Sequence, residues 1–329
     1  MDYKSEILKL KQKLPVTIVG HFYQRDEVFD LADITGDSLE LARKAKVDSN
    51  PYVVFCGVGF MGQSVKVIAS EKRVFMPKIA CCAMARMIDG SYFDESVEFM
   101  VQHGVAKEDI LPITYINSDA TVKAKVGEMG GLVCTSSNAY KIIEKGLSSG
   151  KKILFVPDRC LGQNFANSMG LKSCVIGQEG CNPKEADIIC FDGFCSVHQL
   201  FTVDDIKFYR QKYPDILIAV HPECDPSVVN EADFVGSTSQ LIKYITELPE
   251  DQKVAVGTEY NLVNRLRPKN TYVLSATKPE CPTMNETTLE DLYRVLKSID
   301  DEQPINEIFV EEKVAHFAKL ALDRMLEIK

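Results

Sequence analysis

One alternation runs through this chain from end to end and restricts its fold more than any single motif. A short, continuous apolar run ends on a cluster of polar residues and is followed by a stretch with helical spacing of apolar side chains. Val16-Thr17-Ile18-Val19 leads into Gly20-His21-Phe22-Tyr23-Gln24, and Tyr52–Phe55, Arg73–Met76 and Lys78–Met84 are the next runs. Leu111–Thr114 opens a second pass into Tyr115-Ile116-Asn117-Ser118, continued by Gly131–Cys134, Lys152–Val156 and Ile188–Cys190. Ile216–Val220 opens a third into His221-Pro222-Glu223-Cys224, continued by Phe234-Val235, Val254–Val256 and Tyr272–Leu274. Runs without a period of two are strands buried on both faces, the mark of parallel sheet covered by helices. The passes recur at about 100 residues, too long for a solenoid repeat and suited to three small α/β units of about four short parallel strands each. A first helix is expected within Met1–Leu14. Thr287-Thr288-Leu289-Glu290 has capping-box spacing, and a last helix is expected from about Pro304.

In open α/β sheets, ligands bind beyond the carboxyl ends of the strands. Those ends here carry His21, Tyr23, Tyr115, Asn117, Ser136, His198, His221, Glu223, Ser237 and Thr238. Three units meeting with these ends inward would bring the polar groups to one cavity. Each pass also holds a cysteine in the same place: Cys82, Cys195 and Cys281. Cys195 belongs to Asp192-Gly193-Phe194-Cys195-Ser196-Val197-His198, and its thiol and imidazole just past a buried run fit metal ligands, a nucleophile with its base, or two ordinary buried groups. Taken together, the three cysteines fit an iron–sulfur cluster with one open iron, a zinc site completed by His198, or three buried thiols. An open metal position is what a Lewis acid needs.

Ser136 and the pair Ser237-Thr238 stand between a strand and a helix. Hydroxyls and free N–H groups there make a phosphate site, and the same residue types serve as plain helix caps. His21 with Tyr23, and His221 with Glu223, alternate along extended segments, so each pair could face one cavity and move protons there.

With a net charge of −9 and no basic tract, nucleic acid and anionic membrane are disfavoured as partners. No apolar run approaches the roughly 18 residues of a membrane span, and Met1–Leu14 lacks the apolar block of a signal peptide, so a cytoplasmic protein is expected. Its 11 cysteines are then better read as thiols than as a disulfide framework.

Several segments resemble one family. His21-Phe22-Tyr23-Gln24, Gly36-Asp37-Ser38, Tyr115-Ile116-Asn117-Ser118, Thr135-Ser136-Ser137-Asn138, Pro157-Asp158-Arg159, Gly193–His198, His221-Pro222-Glu223-Cys224, Gly236–Gln240, Thr258-Glu259 and Cys281-Pro282-Thr283-Met284 resemble, in order and spacing, the bacterial quinolinate synthase family, the A protein of NAD biosynthesis. The resemblance implies three pseudo-symmetric αβα units around a central active site, expected at residues 1–90, 91–200 and 201–281, with 282–329 packing back on the first. It implies one [4Fe–4S] cluster per chain on Cys82, Cys195 and Cys281. The implied reaction joins iminoaspartate to dihydroxyacetone phosphate and releases quinolinate, phosphate and two waters, with functional coupling to the enzyme that supplies iminoaspartate. Residues matching the family's substrate contacts are His21, Ser38, Tyr115, Asn117, Ser136, His221, Glu223, Ser237 and Thr238. Glu223 is the candidate acid/base, with Tyr23 and His21 handling protons in earlier steps. Two positions depart from the pattern. Cys81 stands beside Cys82 where a small residue is usual, and Gln63 follows Phe60-Met61 where a glutamate is usual, so no acid/base role falls to Gln63. A zinc-dependent lyase or aldolase using Cys195, His198 and His221, and a non-catalytic iron–sulfur redox sensor, are the competing readings.

Overall fold

Three short, all-parallel sheets make up the frame of the computed structural model, which describes residues 1–266 and 270–328. The first holds β1 (Val16–His21), β2 (Ile34–Gly36), β3 (Tyr52–Cys56) and β4 (Arg73–Phe75), in the order β2-β1-β3-β4. The second holds β5 (Ile110–Tyr115), β6 (Leu132–Cys134), β7 (Lys152–Val156), β8 (Ser173–Val175) and β9 (Ile188–Cys190), in the order β6-β5-β7-β9-β8. The third holds β10 (Leu217–Val220), β11 (Phe234–Val235), β12 (Val254–Gly257) and β13 (Thr271–Val273), in the order β11-β10-β12-β13. Helices flank each sheet, so the three α/β units expected from the apolar runs, with the αβα layering the resemblance implies, are what the chain forms. A shared detail marks the repeat: Asp33 accepts the Ile18 N–H at 2.8 Å in the first unit, and Asp233 accepts that of Ile218 at 2.8 Å in the third.

Two strands escape a reading of apolar runs. β2 has only three residues, and β8, Ser-Cys-Val, is a half-buried edge. Conversely, Lys78–Met84 is not a strand. The edge of β4 that it would join is taken by the C-terminal segment, where Ile308 N–H donates to Val74 O (2.8 Å) and Met76 N–H to Asn306 O (3.1 Å). Released from the sheet, 78–84 becomes the loop that carries Cys82. The same pairing delays the last helix, which begins at Glu312 rather than near Pro304.

The cores follow the layers. Ile7 and Leu10 of the first helix (Tyr3–Lys13) pack with Leu292, Val295 and Leu296 of the helix Leu289–Asp300 over the outer face of the first sheet. That helix opens one residue later than the expected box, with Thr288 and Asp291 rather than Thr287 and Glu290 as the capping pair. The third sheet has its own core on each face. A continuous core joins the first and second units and takes in Ala318, Ala321 and Leu322 of the C-terminal helix. Each fully buried Leu, Ile, Val, Phe or Met among them contributes about 1.5–3 kcal/mol. One pair departs from the all-thiol reading: Cys174 and Cys181 are joined as a disulfide across the loop after β8. Among the described residues no helix is long and apolar enough to cross a membrane.

Candidate active site

Strand order places the site. In each sheet the chain leaves the first strand to one side and returns on its other side, so a crevice opens at that strand's carboxyl end. β1, β5 and β10 end at His21, Tyr115 and Val220-His221, and the three crevices face one cavity. Its walls take His21, Tyr23, Ser38 and Cys82 from the first unit. The second supplies Tyr115, Asn117, Ser136, Cys195 and His198, and the third His221, Glu223, Thr238 and Cys281. Ser237 is not on the wall; its hydroxyl caps the helix Thr238–Glu247 by accepting the Gln240 N–H (3.4 Å). Cys81 is exposed, while its neighbour Cys82 faces the cavity. Gln63 ties two units together, donating to Asp119 Oδ2 (2.8 Å) and accepting the Ala120 N–H (3.1 Å).

Two histidines are held neutral. Burial pushes His21 down to about 4 and His221 down to about 3. In each, Nδ1 accepts the N–H two residues on, Tyr23 N–H at 3.1 Å and Glu223 N–H at 3.3 Å. With Nδ1 so used, the neutral ring carries its proton on Nε2, which is left as a donor.

Glu223 is the hub. Burial opposes its charge, but His198, His221 and two hydrogen bonds prevail and draw it down to about 2. The Tyr115 hydroxyl donates to Oε1 (2.6 Å), and His198 Nδ1 lies 3.1 Å from Oε2. An ionised carboxylate only accepts, so Nδ1 carries the hydrogen there. His198 Nε2 lies 3.1 Å from the Thr258 hydroxyl, whose oxygen lies 2.9 Å from the Tyr23 hydroxyl. Tyr23 is in turn 3.0 Å from Thr238 Oγ1. A continuous run of hydrogen bonds thus links Thr238, Tyr23, Thr258, His198, Glu223 and Tyr115 across all three units. Burial keeps both phenols protonated, well above their ordinary range. Thr258 was singled out only within a matched motif; its signal is a hydroxyl at the carboxyl end of β12.

The thiols test what the site could hold. Cys82, Cys195 and Cys281 come from three units and line the same cavity. Burial pushes all three up, Cys82 to about 12, so the thiolates need a cation to form. Among the described residues the three sulfurs do not form a set within 4.8 Å. Zn–S bonds of about 2.3 Å put tetrahedral sulfurs roughly 3.8 Å apart, so one zinc is too small for this triad, whereas a cluster of several irons spans a wider gap. Cys195, His198 and Glu223 do lie within 4.8 Å of one another. Both nitrogens of His198 are already hydrogen-bonded, however, and its ring stacks on His221 with centroids 4.6 Å apart, so the two imidazoles do not converge on one ion. The donor set fits the iron–sulfur group better than a single metal ion.

A cavity at the meeting of three parallel sheets, lined by carboxylates with Glu223 ionised at their hub, imidazoles, protonated phenols and three thiols, defines an enzyme of small polar molecules. Over residues 5–327 the chain matches the family model described as quinolinate synthetase A protein. It is 55% identical to the quinolinate synthase of Helicobacter pylori strain HPAG1, over 99% of this chain and 98% of that protein. It is 40% identical to the quinolinate synthase of Acidobacterium capsulatum (100% and 93%) and 39% identical to that of Streptomyces coelicolor (99% and 88%). The chain belongs to the quinolinate synthase family.

Proposed function

We propose that this enzyme condenses iminoaspartate with dihydroxyacetone phosphate, releasing quinolinate, inorganic phosphate and two waters for NAD biosynthesis in the cytoplasm. The observation that carries the reading is that the side chains expected to bind these substrates, all but Ser237, face one cavity together with the three thiols. Cys82, Cys195 and Cys281 would hold a [4Fe–4S] cluster, which supplies a Lewis-acidic iron when bound.

The chain's own residues supply the rest. Ser136, before the helix Ala139–Leu147, and Thr238, at the first residue of its helix, offer hydroxyls beside free N–H groups to a phosphate. The Nε2–H groups of His21 and His221, with Asn117 and Ser38, orient the carboxylates and carbonyls. Glu223 enters as a carboxylate, takes a proton and returns it to a departing hydroxyl. Tyr23, protonated and backed by Thr258 and His198, donates in the earlier condensation and isomerisation. Enclosure by three units excludes water, which favours condensation over hydrolysis of the imine. Iminoaspartate hydrolyses readily in water, so coupling to the enzyme that makes it follows from the same chemistry.

The test is anaerobic purification with metal analysis and an assay supplying both substrates. Brown protein with about four irons per chain that forms quinolinate and phosphate in equal amounts is the expected result. Colourless zinc-loaded protein would replace this reading by a lyase, and a cluster without quinolinate formation would replace it by a redox sensor.

A further inference from the structure

The three loops that follow β1, β5 and β10 have the same design, one that no sequence motif reveals. Each runs four residues: His21–Gln24, Tyr115–Ser118 and His221–Cys224. In each, the third residue carries a functional side chain (Tyr23, Asn117 or Glu223), and the carbonyls on either side of it are taken by one side chain with two hydrogen bonds to give. Arg265 donates from Nη2 to Phe22 O and from Nη1 to Gln24 O (3.0 Å). Lys123 Nζ donates to Ile116 O (2.8 Å) and to Ser118 O. Asn164 Nδ2 donates to Pro222 O (2.8 Å) and to Cys224 O (2.8 Å). The donors differ in type and in origin. Arg265 reaches from the third unit to the first, Asn164 from the second to the third, and Lys123 stays within the second. Lys123 is 1% exposed and Asn164 6%, so neither exchanges these partners for water.

We propose that Arg265, Lys123 and Asn164 are positioning residues for the reaction, each fixing one loop of the site by the two carbonyls that bracket its working side chain. The proposal rests on the reading of the cavity given above, because it takes Tyr23, Asn117 and Glu223 to be the groups that meet substrate. A loop of this kind has no regular ladder to hold it; each closes on one backbone turn bond (Gln24 N–H to His21 O, Ser118 N–H to Ile116 O, Cys224 N–H to His221 O), and the clasp adds the two carbonyls around the working residue. Two bonds from a single side chain hold both carbonyls and hence the direction of the side chain between them. The threefold recurrence with three unlike donors argues against chance: in each unit the same two carbonyls are held.

The test compares Asn164→Ala and Lys123→Met in the full-length, anaerobically prepared holoenzyme. Arg265 is left aside because it also pairs with Asp26 (2.7 Å) and lies over the Phe29 ring (4.2 Å). Amide hydrogen exchange, read by mass spectrometry, reports on the loops whether or not the assay works. Asn164→Ala is expected to speed exchange around Glu223 and leave the Asn117 loop unchanged; Lys123→Met is expected to do the reverse. Kinetics should divide the same way. Asn164→Ala lowers kcat by about 10- to 100-fold with little change in KM, while Lys123→Met raises KM more than it lowers kcat. Asn164→Ser, which keeps one donor, should fall between. Should either variant fail to fold, Asn164→Ser and Lys123→Gln take its place in the same measurements. Unchanged exchange in both loops, or losses of activity that merely track the folded fraction, would overturn the proposal. Wild-type protein that forms no quinolinate would remove the functional reading, while the exchange pattern would still decide the fate of the clasps.

Discussion

Glu223 is where several local forces settle on one charge state. Burial alone would keep it protonated, yet the Tyr115 hydroxyl and the His198 ring satisfy both oxygens, and the carboxylate is pulled down to about 2. Glu223→Gln keeps the shape and removes the base. It should lower kcat by about 10²- to 10⁴-fold with the fold intact, as checked by steady-state kinetics beside circular dichroism; wild-type turnover would refute the role. The neutral histidines make a second prediction. Below about 6.5 the unfolded chain protonates His21 and His221, while the folded protein resists until about 4 and about 3. The unfolded state therefore binds more protons in that window, and stability present above it is lost as pH falls through it. Glu223, with an unfolded value near 4.5, adds loss in the same direction below that pH. His21 alone accounts for about 3 kcal/mol. Anaerobic thermal unfolding should show Tm falling from pH 7 to 4, and less steeply in His21→Gln.

At the scale of elements, two contacts between units are specific enough to test. The helix Gly59–Ile68 meets the start of the helix Ala120–Glu128 through Gln63, which gives its amide N–H to Asp119 and takes the Ala120 N–H. Gln63→Glu would face one carboxylate with another and should cost about 1–3 kcal/mol in urea unfolding. Further along, the helix Ala120–Glu128 crosses the helix Glu312–Glu327 so closely that a Cβ on Gly127 would collide with the Phe317 carbonyl. Arg324 seals the crossing by donating to Gly127 O (3.2 Å) and Gly131 O (2.9 Å). Since backbone cannot yield as a side chain does, Gly127→Ala should destabilise by about 1–3 kcal/mol, measured by the same unfolding. An unchanged midpoint would mean the two helices can separate without loss. The C-terminal helices also divide their allegiance: Leu289–Asp300 packs on the first helix, and Glu312–Glu327 lies chiefly along Ala120–Glu128.

For the whole molecule, a group bound by one thiol from each unit would act as a cross-brace. Binding to the native state alone stabilises it by mass action. Removing iron by chelation should therefore lower Tm, and Cys82→Ser, Cys195→Ser and Cys281→Ser should each lose both iron and the added stability. Cys81→Ser should lose neither, because that thiol is exposed. Full iron content in the three variants of the cavity cysteines would end the assignment.

The amino-acid sequence determined the class of this protein through properties that act over a few residues. Continuous apolar runs produced buried parallel strands, capping residues began helices, and polar side chains gathered at strand ends because a buried strand cannot carry them further in. That made the three passes, the cysteine in each, and most of the cavity wall legible: His21, Tyr115 and His221 stand where the runs stop. What remained for the tertiary structure were choices between neighbours and meetings between distant segments. It turned Thr238 to the cavity and left Ser237 as a cap, and freed 78–84 from the sheet by giving its place to 306–308. It joined Tyr23, Thr258, His198 and Glu223 into one chain and set Arg265, Lys123 and Asn164 on their carbonyls. Such contacts depend on how three twisted sheets pack against one another, across separations of about 100 residues or more, and no local period of 2 or 3.6 carries that information.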